Sequence, residues 1–181
     1  MITLEVLEGW LNIPPEDERL EFKEAKNQYD TTKLMKYCVA LANEGGGYFI
    51  LGITDKRPRQ IVGSQAFPTP EALNKIKAKI VQQLRLRVEI TELPHPNGRV
   101  LVFEVPTRPT GQPIAFDGAY LMRAGEELVP MTPDMLKRIF AEGRSTRLVL
   151  STCLFSYQCR ESHRLIRHTN LLSTTKISLS Y

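Results

Sequence analysis

The chain has 181 residues, 42% of them hydrophobic and 24% charged, enough to build a core without disulfide or metal staples. No window approaches the roughly 18 unbroken apolar residues of a membrane span, and the N-terminus lacks the basic start and apolar run of a signal peptide. The formal net charge of +4 belongs to the tail: residues 145–181 hold Arg147, Arg160, Arg164, Arg167 and Lys176 against Glu161 alone, which leaves 19 charges of each sign before them. Any affinity of the main body for a polyanion must therefore come from a local patch. Cys38, Cys153 and Cys159 are an odd number without framework spacing, so reduced thiols and a cytoplasmic location are expected.

In chain order, Leu20-Glu21-Phe22-Lys23-Glu24 alternates with period two and predicts a strand. Leu20 and Phe22 would face a core, with Glu21 and Lys23 on the opposite, non-core face. Thr31 or Thr32 can cap a helix to about Glu44, with Leu34, Cys38, Leu41 and Ala42 as its apolar stripe. Gly45, Gly46 and Gly47 stop it. The near-continuous apolar run Tyr48–Ile53 reads as a central strand, and Asp55 follows it.

A second helix starts near Pro70, buries Leu73, Ile76, Ile80 and Leu84, and turns Lys75, Lys79 and Gln82 outward. Val88–Leu93 and Val100–Val105 form a strand pair around a Pro/Asn/Gly turn. Pro113–Phe116 and Ala119–Met122 form a hairpin around Asp117-Gly118. A last helix spans about Pro133 to Ala141, with Thr132 as cap and Met135, Leu136, Ile139 and Phe140 as apolar residues. Hairpins mixed with helices predict an α/β-mixed (α+β) fold with a largely antiparallel or mixed sheet. The domain is placed at 1–143. Residues 144–181 are a basic extension rich in Ser and Thr, read as a disordered tail, a docking segment or out-of-frame sequence.

The densest chemical signal is the acid-rich approach from Glu16 to Lys23. A carboxylate beside a lysine on one strand face suits metal-assisted phosphodiester cleavage: the acid holds a hard cation and the lysine stabilises phosphate charge. Sheet pairing could bring Asp55 beside Glu21. The alternative is a solvated, charged strand edge that deters aggregation. The glycine run does not make a phosphate loop, because here a helix ends and a strand begins. No G-x-x-x-x-G-K-[ST] occurs. Lys75, Lys77, Lys79, Arg85 and Arg87 form a basic cluster, and Arg123 sits on a predicted strand. Cys153, Cys159, His163 and His168 are spaced C-x5-C-x3-H-x4-H, too tight for the usual finger, so no zinc is expected.

Glu16-x4-Glu21-Phe22-Lys23, Ala40-Leu41-Ala42-Asn43-Glu44-Gly45-Gly46-Gly47, Leu51-Gly52-Ile53-Thr54-Asp55, Ile61-Val62-Gly63, Pro113-Ile114 and Tyr120-x2-Arg123-x-Gly125 occur in this order. Together they resemble the Schlafen AlbA-2 domain over about residues 12–141. The resemblance implies nucleic-acid binding, DNA or RNA, and bacterial members are described as transcriptional regulators. In vertebrate Schlafen proteins two related lobes form a basic horseshoe around structured RNA, so a single module would pair with itself as a homodimer. Some members are endoribonucleases that use two glutamates and an aspartate with Mg²⁺ or Mn²⁺; those positions match Glu16, Glu21 and Asp55, with Lys23 beside them. The family was once described as a divergent AAA ATPase, but this chain lacks the Walker loop, so ATP hydrolysis is not expected.

Three readings follow. In the first, a nucleic-acid-binding module contacts phosphates through Lys75, Lys79 and Arg123, with the Gly45, Gly46 and Gly47 turn close to the strand. In the second, Glu16, Glu21 and Asp55 bind metal and Lys23 assists cleavage. In the third, the chain is a non-enzymatic oligomerisation or nucleotide-sensing remnant of a longer protein.

Overall fold

The central apolar run organises a mixed sheet in the computed structural model, which describes residues 2–12, 19–125 and 127–142. β1 (Leu20–Lys23) pairs in parallel with β2 (Gly47–Leu51). β3 (Glu89–Leu93) pairs antiparallel with β4 (Val100–Val105), and β4 lies antiparallel beside β2, giving the order β1-β2-β4-β3. Alternation along these strands sends side chains to two covered faces. Leu20, Phe22, Ile50, Val100 and Val102 pack on one face with Leu7 of α1 (Leu4–Leu11). Phe49, Leu51, Leu101, Phe103 and Val105 pack on the other with α2 (Thr31–Asn43) and α3 (Pro70–Leu84).

That second layer corrects one expectation. Glu21 and Lys23 do lie opposite Leu20 and Phe22, but their face is the α2 face and is itself covered; Glu21 is buried. Period-two alternation says which residues share a face and nothing about whether a second layer covers it.

The helices otherwise follow their sequence signals. Asp30, not a threonine, caps α2: its carboxylate accepts the Thr32 N–H at 2.7 Å. The helix ends in a Schellman pattern, with Gly46 N–H donating to Leu41 O at 2.8 Å and Gly45 N–H to Ala42 O at 3.3 Å. Gly45 has φ +96°, which favours glycine. Thr69 caps α3, Pro70 opens it, and the stripe Leu73, Ile76, Ile80 and Leu84 is buried. Each such side chain contributes about 1.5–3 kcal/mol on burial. Cys38 is wholly buried among apolar neighbours, which pushes its thiol up to about 12.

A second sheet, β5 (Ala115–Phe116), β6 (Ala119–Ala124) and β7 (Glu127–Pro130), lies across α2. Its first hairpin turns at Asp117 (φ 49°) and Gly118 (φ 75°), the paired positive angles of a type I′ turn. Neither β7 nor α1 was expected; both are short, and α1 carries its apolar residues over barely two turns. A fourth helix, α4, occupies residues 133–142. Its Ile139 is buried, but Phe140 is 52% exposed, against the expected stripe. The fold is α/β-mixed and largely antiparallel, as the element order implied.

Asn43, the last residue of α2, ties that helix to the second sheet. Its amide donates to Ile114 O and Leu121 O, and its carbonyl oxygen accepts the Ile114 N–H, each at 2.9 Å. Truncation would strand three backbone groups with little access to water. Asn43→Ala is expected to lower the free energy of unfolding by roughly 2–3 kcal/mol in denaturant titration. A loss within experimental error would show that the second sheet docks without it.

Candidate functional site

Four side chains form a continuous chain of charge where the second sheet meets β1. Arg123 of β6 is 1% exposed; its guanidinium donates to Leu20 O (2.8 Å) and Gly125 O (3.0 Å) and pairs with Glu21 Oε2 at 2.7 Å. Glu21 Oε1 lies 2.9 Å from Lys23 Nζ, and Lys23 donates onward to Asp55 Oδ2 at 2.8 Å. Asp55 Oδ1 accepts the Glu24 N–H at 3.2 Å, satisfying backbone at the end of β1. The chain runs from buried to exposed: Glu21 is nearly enclosed, Lys23 part-exposed, and Asp55 about half-exposed.

The parallel pairing of β1 and β2 explains this placement. Lys23 stands beside Leu51, and the strand-end ladder continues through Gly52 N–H to Lys23 O at 2.8 Å, so the turn after β2 carries Asp55 over the end of β1. The expected meeting of Asp55 with Glu21 is thus realised through Lys23. Burial alone would lower the pKa of Lys23. Hydrogen bonds to Asp55 and Glu21 outweigh it and hold the ammonium well above the ordinary lysine value. Burial, then the negative charge of Glu21, push the phenol of Tyr37 on α2 above its ordinary value.

Three hollows meet at Lys23 and Asp55. One of about 620 Å³ is bounded by Tyr29, Lys33, Lys36, Tyr37, Leu121 and Leu128 as well. A second of about 700 Å³ adds Lys56 and Gln60, and a third of about 170 Å³ reaches Glu21, Arg59 and Arg123. Lys33, Lys36, Lys56 and Arg59 carried no motif and were not singled out in the sequence. The three-residue spacing of Lys33 and Lys36 on α2 was their only signal.

The expected site residues fall into separate groups. Glu21, Lys23 and Asp55 come together. Glu16 lies outside the described residues, as do Cys153, Cys159, His163 and His168. Arg123 is buried in the ion chain, which corrects its expected placement among phosphate contacts: the strand signal was right, but the covering layer was invisible. Gly46 and Gly47 approach protein backbone. A Cβ on Gly46 would sit 2.9 Å from Val105 O, and one on Gly47 would overlap Arg19 O. Only Gly45 of the three has open space beside it. Lys75 and Lys79 are exposed on α3, which packs against β3 at the edge of the sheet remote from β1.

The profile described as Schlafen, AlbA_2 matches residues 16–132. The chain belongs to the Schlafen AlbA_2 family. Among solved structures, the DIP2311 protein of Corynebacterium diphtheriae shares the fold with a TM-score of 0.59 at 19% identity over 77% of this chain. This chain spans 32% of that protein. The N-terminal domain of a RecG-related protein from Nitrosomonas europaea aligns with a TM-score of 0.47 at 22% identity, over 73% of this chain and 92% of the domain. No curated protein sequence matches the chain. Among the described residues no helix is long and apolar enough to cross a membrane, and no three His, Cys, Asp or Glu side chains cluster as a metal site.

The depth gradient along the ion chain gives a stability prediction. Glu21→Gln leaves Arg123 buried without its counter-charge and is expected to cost about 3–5 kcal/mol. Asp55→Asn, at the wet end, should cost under about 1 kcal/mol. Equal costs in denaturant titration would contradict the gradient.

Proposed function

We propose that this protein is a nucleic-acid-binding module whose contact surface is the cleft around Lys23 and Asp55. The carrying observation is local charge. The three confluent hollows are lined by Lys23, Lys33, Lys36, Lys56, Arg59 and Arg123, against three carboxylates, Glu21, Glu24 and Asp55. A main body with balanced charge thus concentrates positive charge at one concave place, where field lines focus and a phosphate backbone is drawn in. Membership of the Schlafen AlbA_2 family supports the same class of partner.

Lys33, Lys36 and Lys56 are exposed and stand at the cleft mouth, so they make the phosphate contacts in this reading. Arg123 works behind them by holding Glu21. Lys75 and Lys79 contribute long-range attraction from another surface. Binding of a labelled oligonucleotide should weaken steeply between about 50 and 200 mM salt. The triple change Lys33→Ala/Lys36→Ala/Lys56→Ala should lower the slope of log affinity against log salt by about one per lost contact. Lys75→Ala/Lys79→Ala should leave that slope nearly unchanged. The opposite ranking would move the interface to α3.

A second reading rests on the convergence of Glu21 and Asp55 upon one cation, the Lys23 ammonium, at 2.9 and 2.8 Å. Two carboxylates aimed at one cation-sized point fit Mg²⁺ or Mn²⁺ once Lys23 swings away, with Glu16 as a third ligand. Such an ion would supply water activation and charge neutralisation at a phosphodiester. Arg123 would hold the Glu21 carboxylate in place, and the displaced Lys23 would face the phosphate. Incubation of RNA and DNA with protein and Mn²⁺ should then give products that EDTA and Asp55→Asn both abolish. Cleavage that survives Asp55→Asn would exclude this site.

A further inference from the structure

The hollow of about 620 Å³ differs from a bare phosphate groove, because part of its wall is aromatic and apolar. Tyr29, Tyr37, Ala119, Leu121 and Leu128 line it, with Lys23, Lys33, Lys36 and Asp55 alongside. Its volume falls within the range of about 300–1,000 Å³ typical of sites for small organic groups. A duplex, which keeps its bases stacked inside, offers such a hollow only its backbone.

The rings are preset. Tyr29 lies 5.3 Å from Phe49 and Tyr37 lies 5.2 Å from it, centroid to centroid, and Phe49 is fully buried against Phe103. Both tyrosines are therefore backed by a rigid aromatic core, and a ligand ring meeting them finds little side-chain freedom left to lose. Tyr29 is half-buried and lines both the 620 and the 700 Å³ hollows, so its ring forms a wall common to two adjoining spaces. Lys33 and Lys36 stand at the rim and form no ion pair among the described residues.

We infer that this cleft takes unpaired nucleotides, with a base stacked on Tyr29 and its flanking phosphates held by Lys33 and Lys36. This rests on the nucleic-acid reading above and deepens it: the partner is a single strand, or an unpaired stretch or end of a folded one. Stacking platforms backed by positive charge are how proteins hold single strands with little sequence preference. No base-edge contact is required, so the strand form, and not the sequence, is selected.

The test uses the full chain and fluorescence anisotropy at one fixed salt concentration. Labelled 12-residue single strands of RNA and of DNA are each compared with their own duplexes, for wild type, Tyr29→Phe and Tyr29→Leu. Leucine keeps an apolar contact with Phe49, and thermal melting checks that each variant is folded. The wild type is expected to bind at least one single strand about tenfold or more tighter than its duplex. Tyr29→Phe should keep that preference, and Tyr29→Leu should lose most of it while duplex binding stays the same. Equal wild-type affinity for single strands and duplexes would overturn the inference and leave the nucleic-acid reading standing. So would a preference untouched in folded Tyr29→Leu. Failure to bind any of the four probes at low salt would overturn both.

Discussion

The site depends on one buried ion pair, Arg123 with Glu21. Glu21 sits on β1 and Arg123 on β6, in different sheets, and the salt bridge and the hydrogen bond to Leu20 O are what tie those strands together. A carboxylate so enclosed is tolerated only with a counter-charge and full hydrogen bonding. Arg123 and Lys23 supply both. Once Glu21 is fixed, Lys23 has a defined place to stand, and Lys23 in turn meets Asp55 at the protein surface. An apolar pair of similar volume would join the sheets equally well in energy. It would not orient a lysine. The ion pair thus makes sense as a positioning device, carrying order from the core to the cleft mouth.

Charge at the cleft follows from topology more than from composition. Lys33 and Lys36 come from the first turns of α2, Lys56 and Arg59 from the turn after β2, and Lys23 from the end of β1. The parallel pairing of β1 with β2 brings the ends of those strands to one side, and α2 crosses above them. A sequence with 19 charges of each sign in its first 144 residues can in this way still present a basic concavity.

Much of the scaffold was legible before the structure. α3 announced itself with Pro70 and four apolar residues in helical register; β3 with β4 and the Asp117-Gly118 hairpin were equally plain. So was the core role of Cys38. The grouping of Glu21, Lys23 and Asp55 was foreseen from strand faces and a central strand end. What the sequence concealed was layering. Nothing in Leu20–Lys23 says that a second sheet, resting on α2, covers the side of Glu21 and buries Arg123 there. Asn43 hides the same way: it reads as the end of a helix, yet its three bonds are to residues more than 70 positions away. The lysines of the cleft mouth were hidden because they come from separate segments, with no motif to join them.

The central claim is that Arg123 and Glu21 act as one unit holding the site together. A double-mutant cycle on unfolding free energy measures this directly, using Arg123→Met, Glu21→Leu and the two combined. The account predicts that each single change costs about 3–5 kcal/mol by taking from a buried charge its partner across the two sheets, while the double variant recovers most of the loss. Additive costs, with no recovery in the double variant, would show that the two residues serve the fold separately and would contradict the account.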